Sequence, residues 1–250
     1  MSTWILLRGL TRESRHWGDF PGQLQAALPL ARILAVDLPG NGTFHQEASP
    51  LTVQGMVAHA RAQLVELGAA PPFHLLALSM GAMVATAWAE AFPGEVAGCV
   101  LINTSFRGFS PPHRRLRPRA WPSLLRMPLT PSAEGRERLL FSLTSRREAG
   151  PVPPWKAWVE IRRSRPGHLR NALRQLLAAA RFKAPAQAPA PTLVLTSAGD
   201  GLVASRCSLD ISRRWACALA IHPWAGHDLT LDDGAWVAHQ IRQWLNAGAG

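Results

Sequence analysis

Ser79 stands where an apolar run meets a helical pattern, in Ala77-Leu78-Ser79-Met80-Gly81. A strand that turns sharply into a helix places the middle residue at the apex of the turn, with strained backbone dihedrals. The residues two before and two after the apex must be small, and Ala77 and Gly81 meet this requirement. The hydroxyl group then projects at a helix N-terminus, where the N–H group of Met80 is free to stabilise an oxyanion. The alternative is that Ser79 only caps the helix.

Two later residues supply what a nucleophilic serine needs, because a serine hydroxyl requires a base that is held by an acid. Asp200 follows the apolar run 193–195, and His227 follows the run that ends near Ile221. Both lie in loops after predicted parallel strands, where the sites of such sheets gather. Taken singly, they are a turn aspartate and a loop histidine. Their order after Ser79 and their strand context together predict a Ser79–Asp200–His227 triad.

The elements that must position these residues follow from the hydrophobic pattern. Continuous apolar runs predict six strands, at 4–7, 31–36, 73–78, 96–102, 192–196 and 218–221. Helical spacing of apolar residues predicts helices over 52–67, from 80 to about 92, and roughly over 233–245. Continuous apolar strands separated by helices indicate a parallel sheet that is covered on both faces.

A basic segment interrupts this pattern at 106–183. It contains 18 of the 27 Lys and Arg residues and four acids, a net charge of +14, so it accounts for all of the chain's +11. It is rich in proline, has no clear strand, and includes one helical apolar stripe, formed by Leu169, Leu173, Leu176, Leu177 and Ala180. Either the segment meets an acidic partner or it is a solvated surface. Since two of the 27 basic residues are Lys, compositional bias is favoured.

Length and composition exclude several classes of protein. With 250 residues, 47% of them apolar, the chain can bury a full core as one large domain or two small ones. No apolar stretch approaches the ~18 residues of a membrane span, and residues 1–10 lack the basic start of a secretory signal. The three cysteines, Cys99, Cys207 and Cys217, have no metal-site spacing, which predicts a reduced, cytoplasmic setting with no metal. Nucleic-acid binding is disfavoured because no known module is present.

These residues together resemble an α/β-hydrolase-fold protein of the esterase and acyltransferase-like group. The resemblance covers nearly the whole chain and is weakest over 106–191. Besides the Ser79 turn, it is carried by Arg8-Gly9-Leu10 with Trp17 downstream, by 37–42 and 100–103, and by the Gly199-Asp200 and Gly226-His227 loops. It implies a mostly parallel sheet with helices on both faces and an inserted helical lid. The core is then 1–105 and 188–250, and the basic helical lid insertion is 106–187.

The resemblance also implies a serine hydrolase with no metal and no organic cofactor, in which the second oxyanion N–H comes from Leu10. Two residues depart from the family's usual pattern. Arg8 stands where the family usually has a histidine that braces the loop, so Arg8 either braces it differently or reaches toward the substrate. Ala77 stands where glycine is usual. A serine nucleophile, rather than an aspartate, disfavours haloalkane dehalogenases and epoxide hydrolases.

The sequence therefore predicts a cytoplasmic enzyme that cleaves a small carboxylic ester through an acyl-enzyme. The family includes the carrier-protein methyl ester esterase of biotin synthesis, whose lid is basic, so a substrate linked to an acidic acyl carrier protein or to CoA is the alternative. A non-catalytic binding protein on the same fold is an alternative of another class. Apolar lid residues such as Trp121, Leu125, Leu140 and Trp158 either line a substrate pocket or form the lid's own core.

Overall fold

The computed structural model describes residues 2–147 and 152–248; Glu148, counted above among the acids of the basic segment, lies outside them. Six strands form one sheet: β1 (Thr3–Leu7), β2 (Arg32–Val36), β3 (Phe73–Leu78), β4 (Val96–Ile102), β5 (Thr192–Ser197) and β6 (Ala218–His222). Their order is β2-β1-β3-β4-β5-β6, and every neighbouring pair is parallel. The predicted α/β fold class is confirmed.

Helices follow most of the strands. Those of the described ranges are α1 (Phe20–Ala27), α2 (Val53–Glu66), α3 (Met80–Ala91), α4 (Pro112–Arg115), α5 (Trp121–Arg126), α6 (Ala133–Thr144), α7 (Trp155–Ser164), α8 (Leu169–Arg181), α9 (Ser205–Trp215) and α10 (Leu229–Ala247). None of these helices is long and apolar enough to cross a membrane.

The core lies on both faces of the sheet, because successive side chains of a strand point in opposite directions. In β1, Ile5 and Leu7 pack in the cluster that includes residues of α2, α3 and α9. Trp4 and Leu6 pack on the other face with residues of α1 and α10. All four are fully buried, and burying one such side chain contributes roughly 1.5–3 kcal/mol. Two buried faces explain why the strands read as continuous apolar runs.

The last predicted helix begins earlier than its apolar pattern indicates. The structure starts α10 at Leu229 instead of near Asp233, and Asp233 itself has a non-helical backbone (φ −151°, ψ 75°). Its carboxylate accepts the N–H of Trp236 at 2.9 Å and so starts the regular part of the helix. The apolar periodicity detects that second part, because the non-helical backbone at Asp233 breaks the helical spacing, although Leu229 of the first turn packs in the same cluster as Val237 and Ile241.

The segment between β4 and β5 contains α4 to α8, and its described part contributes no strand to the sheet. Trp121 and Leu125 of α5 are exposed to solvent, so neither fills a lid core. Leu140 and Trp158 are buried where α6 and α7 pack together, with the Phe141 and Trp158 rings 5.8 Å apart. For this second pair, the structure agrees with a role in the lid's own packing.

Helix α8 exposes its leucines to solvent and buries two amides, whereas an ordinary amphipathic helix buries its apolar residues. Asn171 and Gln175 are buried, whereas Leu169 and Leu173 are 60% and 57% exposed. The leucine stripe noted in the sequence therefore faces solvent. The first half of the buried side is polar, because Asn171 and Gln175 meet backbone groups that need hydrogen-bond partners, and the second half consists of Ala178 and Ala179, which pack in the core.

Candidate active site

Ser79 occupies the sharp turn between β3 and α3. Its φ of 58° and ψ of −116° lie outside the regions that residues other than glycine ordinarily adopt. Two hydrogen bonds hold this backbone: the Ser79 N–H donates to Ile102 O at 2.8 Å, and Thr104 Oγ1 donates to Ser79 O at 2.8 Å. The Ser79 side chain makes no capping bond to α3, so the alternative role of a helix cap is not seen. The hydroxyl group is left for other chemistry.

Gly81 is small because the strand β1 passes directly beside it. A Cβ atom at this position would lie 2.7 Å from Arg8 O and also collide with Leu7 O. The contact places the start of α3 against the loop after β1. In the same loop, a Cβ atom on Gly9 would lie 3.1 Å from the Cβ of Ser79. The loop that carries Leu10 is thus adjacent to the serine turn.

Asp200 and His227 are in direct contact, as the sequence predicts for two members of a triad. The Asp200 Oδ2 and His227 Nδ1 atoms are 2.8 Å apart, and both residues are buried. The other carboxylate oxygen, Oδ1, accepts the N–H groups of Leu202 (2.7 Å) and Val203 (3.0 Å). The carboxylate is therefore fixed, and it engages one ring nitrogen of His227 while the other stays available as a base.

Asn103, at the end of β4, fixes the histidine loop relative to the serine turn. Its Nδ2 donates to His227 O at 2.9 Å and to Gly226 O at 3.2 Å, and its Oδ1 accepts the Ser197 N–H at 2.9 Å. The neighbouring Thr104 holds Ser79 O, as described above. Two consecutive residues thus brace both sides of the site. Within residues 2–147 and 152–248, no hydrogen bond joins Ser79 to His227 directly.

Sequence reasoning gave Asn103 no role of its own. Asn103 is only one of the residues 100–103 that match the family, and the sequence indicates no role for Thr104. The available signal was an amide that directly follows a fully apolar strand, where a buried polar side chain must find partners. Its partners lie 94 and 124 residues away, so the pattern could not name them.

Two backbone N–H groups in the serine turn and the neighbouring loop donate no hydrogen bond among residues 2–147 and 152–248. Met80 is the first residue of α3, and its N–H has no partner because the helix has no earlier turn. Leu10 follows Gly9 in the loop after β1, and its N–H likewise donates to no other residue of the described ranges. The sequence predicts these two groups as oxyanion donors, and this role stays a prediction.

A buried charge cluster joins helices α6 and α7 to the loop after β1. Glu137 of α6 is 1% exposed and accepts hydrogen bonds from Arg12 Nη1 at 2.8 Å and from Arg162 Nε. The Arg12 guanidinium also lies over the Trp158 ring, 4.3 Å from its centroid. Burial lowers the pKa of Arg12, although attraction to Glu137 opposes that shift. Because Arg12 and Arg162 share Glu137, removal of Glu137 would leave the buried Arg12 guanidinium without a carboxylate partner.

With the fold and site described, the chain can be compared with known proteins. The model of the alpha/beta hydrolase family matches residues 4–240. The chain belongs to this family. Among curated proteins, none matches the sequence. As a member of the family, the protein is assigned as a hydrolase, in agreement with the resemblance found in the sequence.

Solved structures of other α/β hydrolases superpose over nearly the whole chain. A putative lipase from Acinetobacter baumannii AYE is 21% identical with a TM-score of 0.78, over 98% of this chain and 84% of that one. A putative non-heme bromoperoxidase from Mycobacterium tuberculosis H37Rv is 20% identical with a TM-score of 0.76, over 99% and 92%. A thermophilic esterase from Thermogutta terrifontis is 20% identical with a TM-score of 0.73, over 99% and 90%. At these identities the likeness shows the shared fold.

Proposed function

We propose that this α/β hydrolase is a serine esterase that cleaves a small carboxylic ester through an acyl-enzyme on Ser79. The observation that carries the proposal is the 2.8 Å contact between Asp200 and His227 in the loops after β5 and β6. The strained Ser79 turn supports it, because the backbone adopts a costly conformation there and the serine hydroxyl makes no capping hydrogen bond that would explain it.

The reaction uses the groups already described. His227 Nε2 takes the proton of the Ser79 hydroxyl as Oγ attacks the carbonyl carbon, and the electron pair of the C=O bond moves onto oxygen. The N–H groups of Met80 and Leu10 stabilise that oxyanion. Its collapse breaks the ester C–O bond, and His227 returns the proton to the departing alcohol. Asp200 stabilises the imidazolium that forms in between.

The second half repeats these steps with water in place of the serine. His227 removes a proton from water, and the hydroxide attacks the acyl carbon of the Ser79 ester. Collapse of the second oxyanion releases the carboxylic acid and returns the proton to Ser79 Oγ. The protein needs no further reactant, so the net reaction is hydrolysis.

The test is hydrolysis of p-nitrophenyl acetate, butyrate and octanoate by the wild type and by Ser79→Ala. We expect the substitution to lower kcat/KM by at least about 10³-fold, whereas Ser142→Ala, which removes an exposed serine hydroxyl, leaves it unchanged. A fluorophosphonate should label the Ser79 peptide in mass spectrometry. Equal turnover by the wild type and Ser79→Ala, with no labelling, would favour the non-catalytic alternative.

A substrate linked to an acidic acyl carrier protein or to CoA remains the second candidate, and the surface of α8 favours it. The exposed leucine stripe of α8 lies on a helix that also exposes Arg170 and Arg181 and contains no acidic residue. Such a face suits a partner that is both acidic and amphipathic.

Salt separates the two substrate classes, because added ions screen contacts between exposed charges. If the carrier is recognised, kcat/KM for an ester on an acyl carrier protein falls between 50 and 500 mM NaCl, and Arg170→Glu with Arg181→Glu lowers it. Turnover of p-nitrophenyl butyrate is the control and should not change. If the carrier-linked ester is not preferred and its turnover is insensitive to salt, this candidate is wrong.

A further inference from the structure

Arg8 and Asp228 form a buried ion pair between residues that are 220 positions apart in the sequence. Arg8 Nη1 donates to Asp228 Oδ1 at 3.1 Å, and Nη2 donates to Oδ2 at 2.6 Å. The two side chains are 3% and 4% exposed. Two parallel bonds between a planar guanidinium and a planar carboxylate fix both distance and orientation, which a lysine could not reproduce.

The pair joins two loops, one with the proposed oxyanion donor Leu10 and the other with the proposed base His227. Arg8 comes two residues before Leu10, in the loop after β1, and Asp228 directly follows His227, in the loop after β6. The Arg8 guanidinium also lies over the Trp17 ring, 4.7 Å from its centroid, so it is held from a second side. The Arg8 side chain is therefore committed within the protein rather than directed to a substrate.

The Arg8 guanidinium favours the ionised form of the Asp228 carboxyl group. Burial alone would raise the pKa of Asp228, but attraction to Arg8 and the hydrogen bonds from it outweigh that effect and hold the pKa below its ordinary value. A buried carboxylate next to His227 would by itself favour the imidazolium, and a buried guanidinium would disfavour it. Paired, the two charges largely cancel.

We propose that Arg8 and Asp228 are positioning residues, which hold the His227 loop in register with the Leu10 loop and neutralise each other's charge beside the imidazole. The proposal rests on the proposed function, because it assigns a role relative to that site. Of the two alternatives left open for Arg8, the proposal takes the first. The arginine braces its loop, and it does so through a contact with Asp228, the residue that follows the proposed base His227.

Other charged groups also surround the histidine loop and must stay constant in any test. Two are carboxylates: Asp200 bonds the His227 ring, and Asp232 accepts the Gly226 N–H. The others are arginines: Arg12 lies near Asp228, Arg117 and Arg119 donate to Asp200 O, and Arg146 donates to Gly199 O. The Arg8 side chain makes none of these hydrogen bonds. Its charge does act on two further groups, because it repels Arg12 and adds to the effect of burial and Arg12 in lowering the pKa of His16, so Arg8→Gln changes the surroundings of both.

The test compares pH profiles of kcat/KM for Arg8→Gln, Asp228→Asn and the double variant. Arg8→Gln leaves an unpaired carboxylate near His227, so the acid limb should move to higher pH, by about 0.5–1.5 units. Asp228→Asn leaves an unpaired guanidinium, so the acid limb should move to lower pH. The double variant should return close to the wild-type profile. A pair with a purely structural role would lower turnover or stability without these opposite displacements.

Arg8→Lys separates charge from geometry. It keeps the positive charge but loses the two-bond geometry, so we expect an unmoved acid limb with kcat lowered about tenfold or more. Thermal unfolding shows whether Arg8→Gln folds. If it does not fold, Arg8→Lys and Asp228→Asn still test the proposal. Displacement of the acid limb in the same direction for Arg8→Gln and Asp228→Asn, or no displacement in either, overturns the proposal.

Failure of the proposed function is distinguishable from failure of this inference. If wild-type turnover of esters does not depend on Ser79, the esterase is wrong. NMR titration of the His227 imidazole in the same variants still measures the two opposite displacements without any substrate. Their absence in that experiment contradicts the role of the ion pair.

Discussion

At the scale of single residues, the Leu10 N–H group contributes to the proposed site through the backbone, so its side chain should matter little. We expect Leu10→Pro, which removes the N–H group, to lower kcat by about 10²–10³-fold. Leu10→Ala keeps the N–H group and serves as the matched control. Steady-state kinetics with p-nitrophenyl butyrate checks both, and a comparable loss in the two variants would argue for a side-chain role instead.

Asn103 is a second residue whose loss has a defined consequence. Asn103→Ala removes the partners of Gly226 O, His227 O and the Ser197 N–H in a buried place. Because each unsatisfied buried group costs about 1–3 kcal/mol, the free energy of unfolding should fall by at least about 2 kcal/mol. Urea denaturation measures it. Asn246→Ala, at an exposed position near the end of α10, is the control and should stay within about 0.5 kcal/mol of the wild type.

The three positions proposed for the triad can be named from the sequence because each depends on local pattern. Ser79 lies between a strand run and a helix run, and Asp200 and His227 each follow a strand run. The role of Arg8 could not be predicted in the same way. Its partner Asp228 lies across the sheet, and nothing in the local pattern near either residue encodes their pairing.

At the scale of secondary structure elements, we expect an apolar substitution on the buried side of α8 to destabilise the protein, whereas in most helices such a substitution favours packing. Gln175 is fully buried and bonds the Thr11 N–H at 2.9 Å, Ser49 Oγ at 2.9 Å and Pro39 O at 3.2 Å. Gln175→Leu leaves the Thr11 N–H and the Oδ1 atom of Asn41 without their partner, whereas Ser49 Oγ still donates to Pro39 O. It should therefore destabilise the protein by at least about 2 kcal/mol even though it adds apolar bulk.

The matched control is Leu173→Gln, on the exposed side of the same helix. It should change the free energy of unfolding by less than about 0.5 kcal/mol. Urea denaturation of both variants provides the comparison. The opposite ranking, with Leu173→Gln the more damaging, would mean that the leucine face is packed against protein in solution.

Elements with continuous apolar runs were predictable, and those with mixed composition were not. The strands agree with their predicted ranges to within a residue at either end, because burial on two faces leaves little room for polar residues. Helices α4 and α5 have four and six residues, which is too few for a helical period to be recognised, and α6 and α7 begin just after prolines in a segment that has no continuous apolar run. The outward direction of the α8 leucines could not be predicted either, since periodicity reveals a stripe but not which side of the helix is covered.

At the scale of the whole molecule, buried histidines make stability depend on pH. Burial, with the positive charges of Arg12 and Arg8, holds the pKa of His16 well below its ordinary 6.5, and burial also lowers the pKa of His74. Below about pH 6.5 the unfolded chain binds protons that the folded chain refuses. The free energy of unfolding should therefore fall as the pH falls below 6.5, by up to about 1.4 kcal/mol per pH unit for each histidine.

Urea denaturation between pH 7.5 and 5 measures this slope. His16→Gln removes one titrating group, so its slope should be shallower than that of the wild type. His113→Gln, which alters an exposed histidine, should leave the slope unchanged. Parallel profiles for the wild type and His16→Gln would show that His16 takes up its proton equally in both states.

The way α8 is attached has a consequence for engineering this hydrolase. Asn171 and Gln175 hold the helix mainly through main-chain atoms of other segments, among them Glu47 O, the Ser49 N–H and Pro39 O. Main-chain atoms survive most substitutions, so the attachment tolerates changes in these segments, with the exception of Gly40, where a Cβ atom would lie 2.7 Å from Asn171 Nδ2. The outward positions of α8 form a surface that can be randomised as a library, with the inward amides kept as fixed anchors.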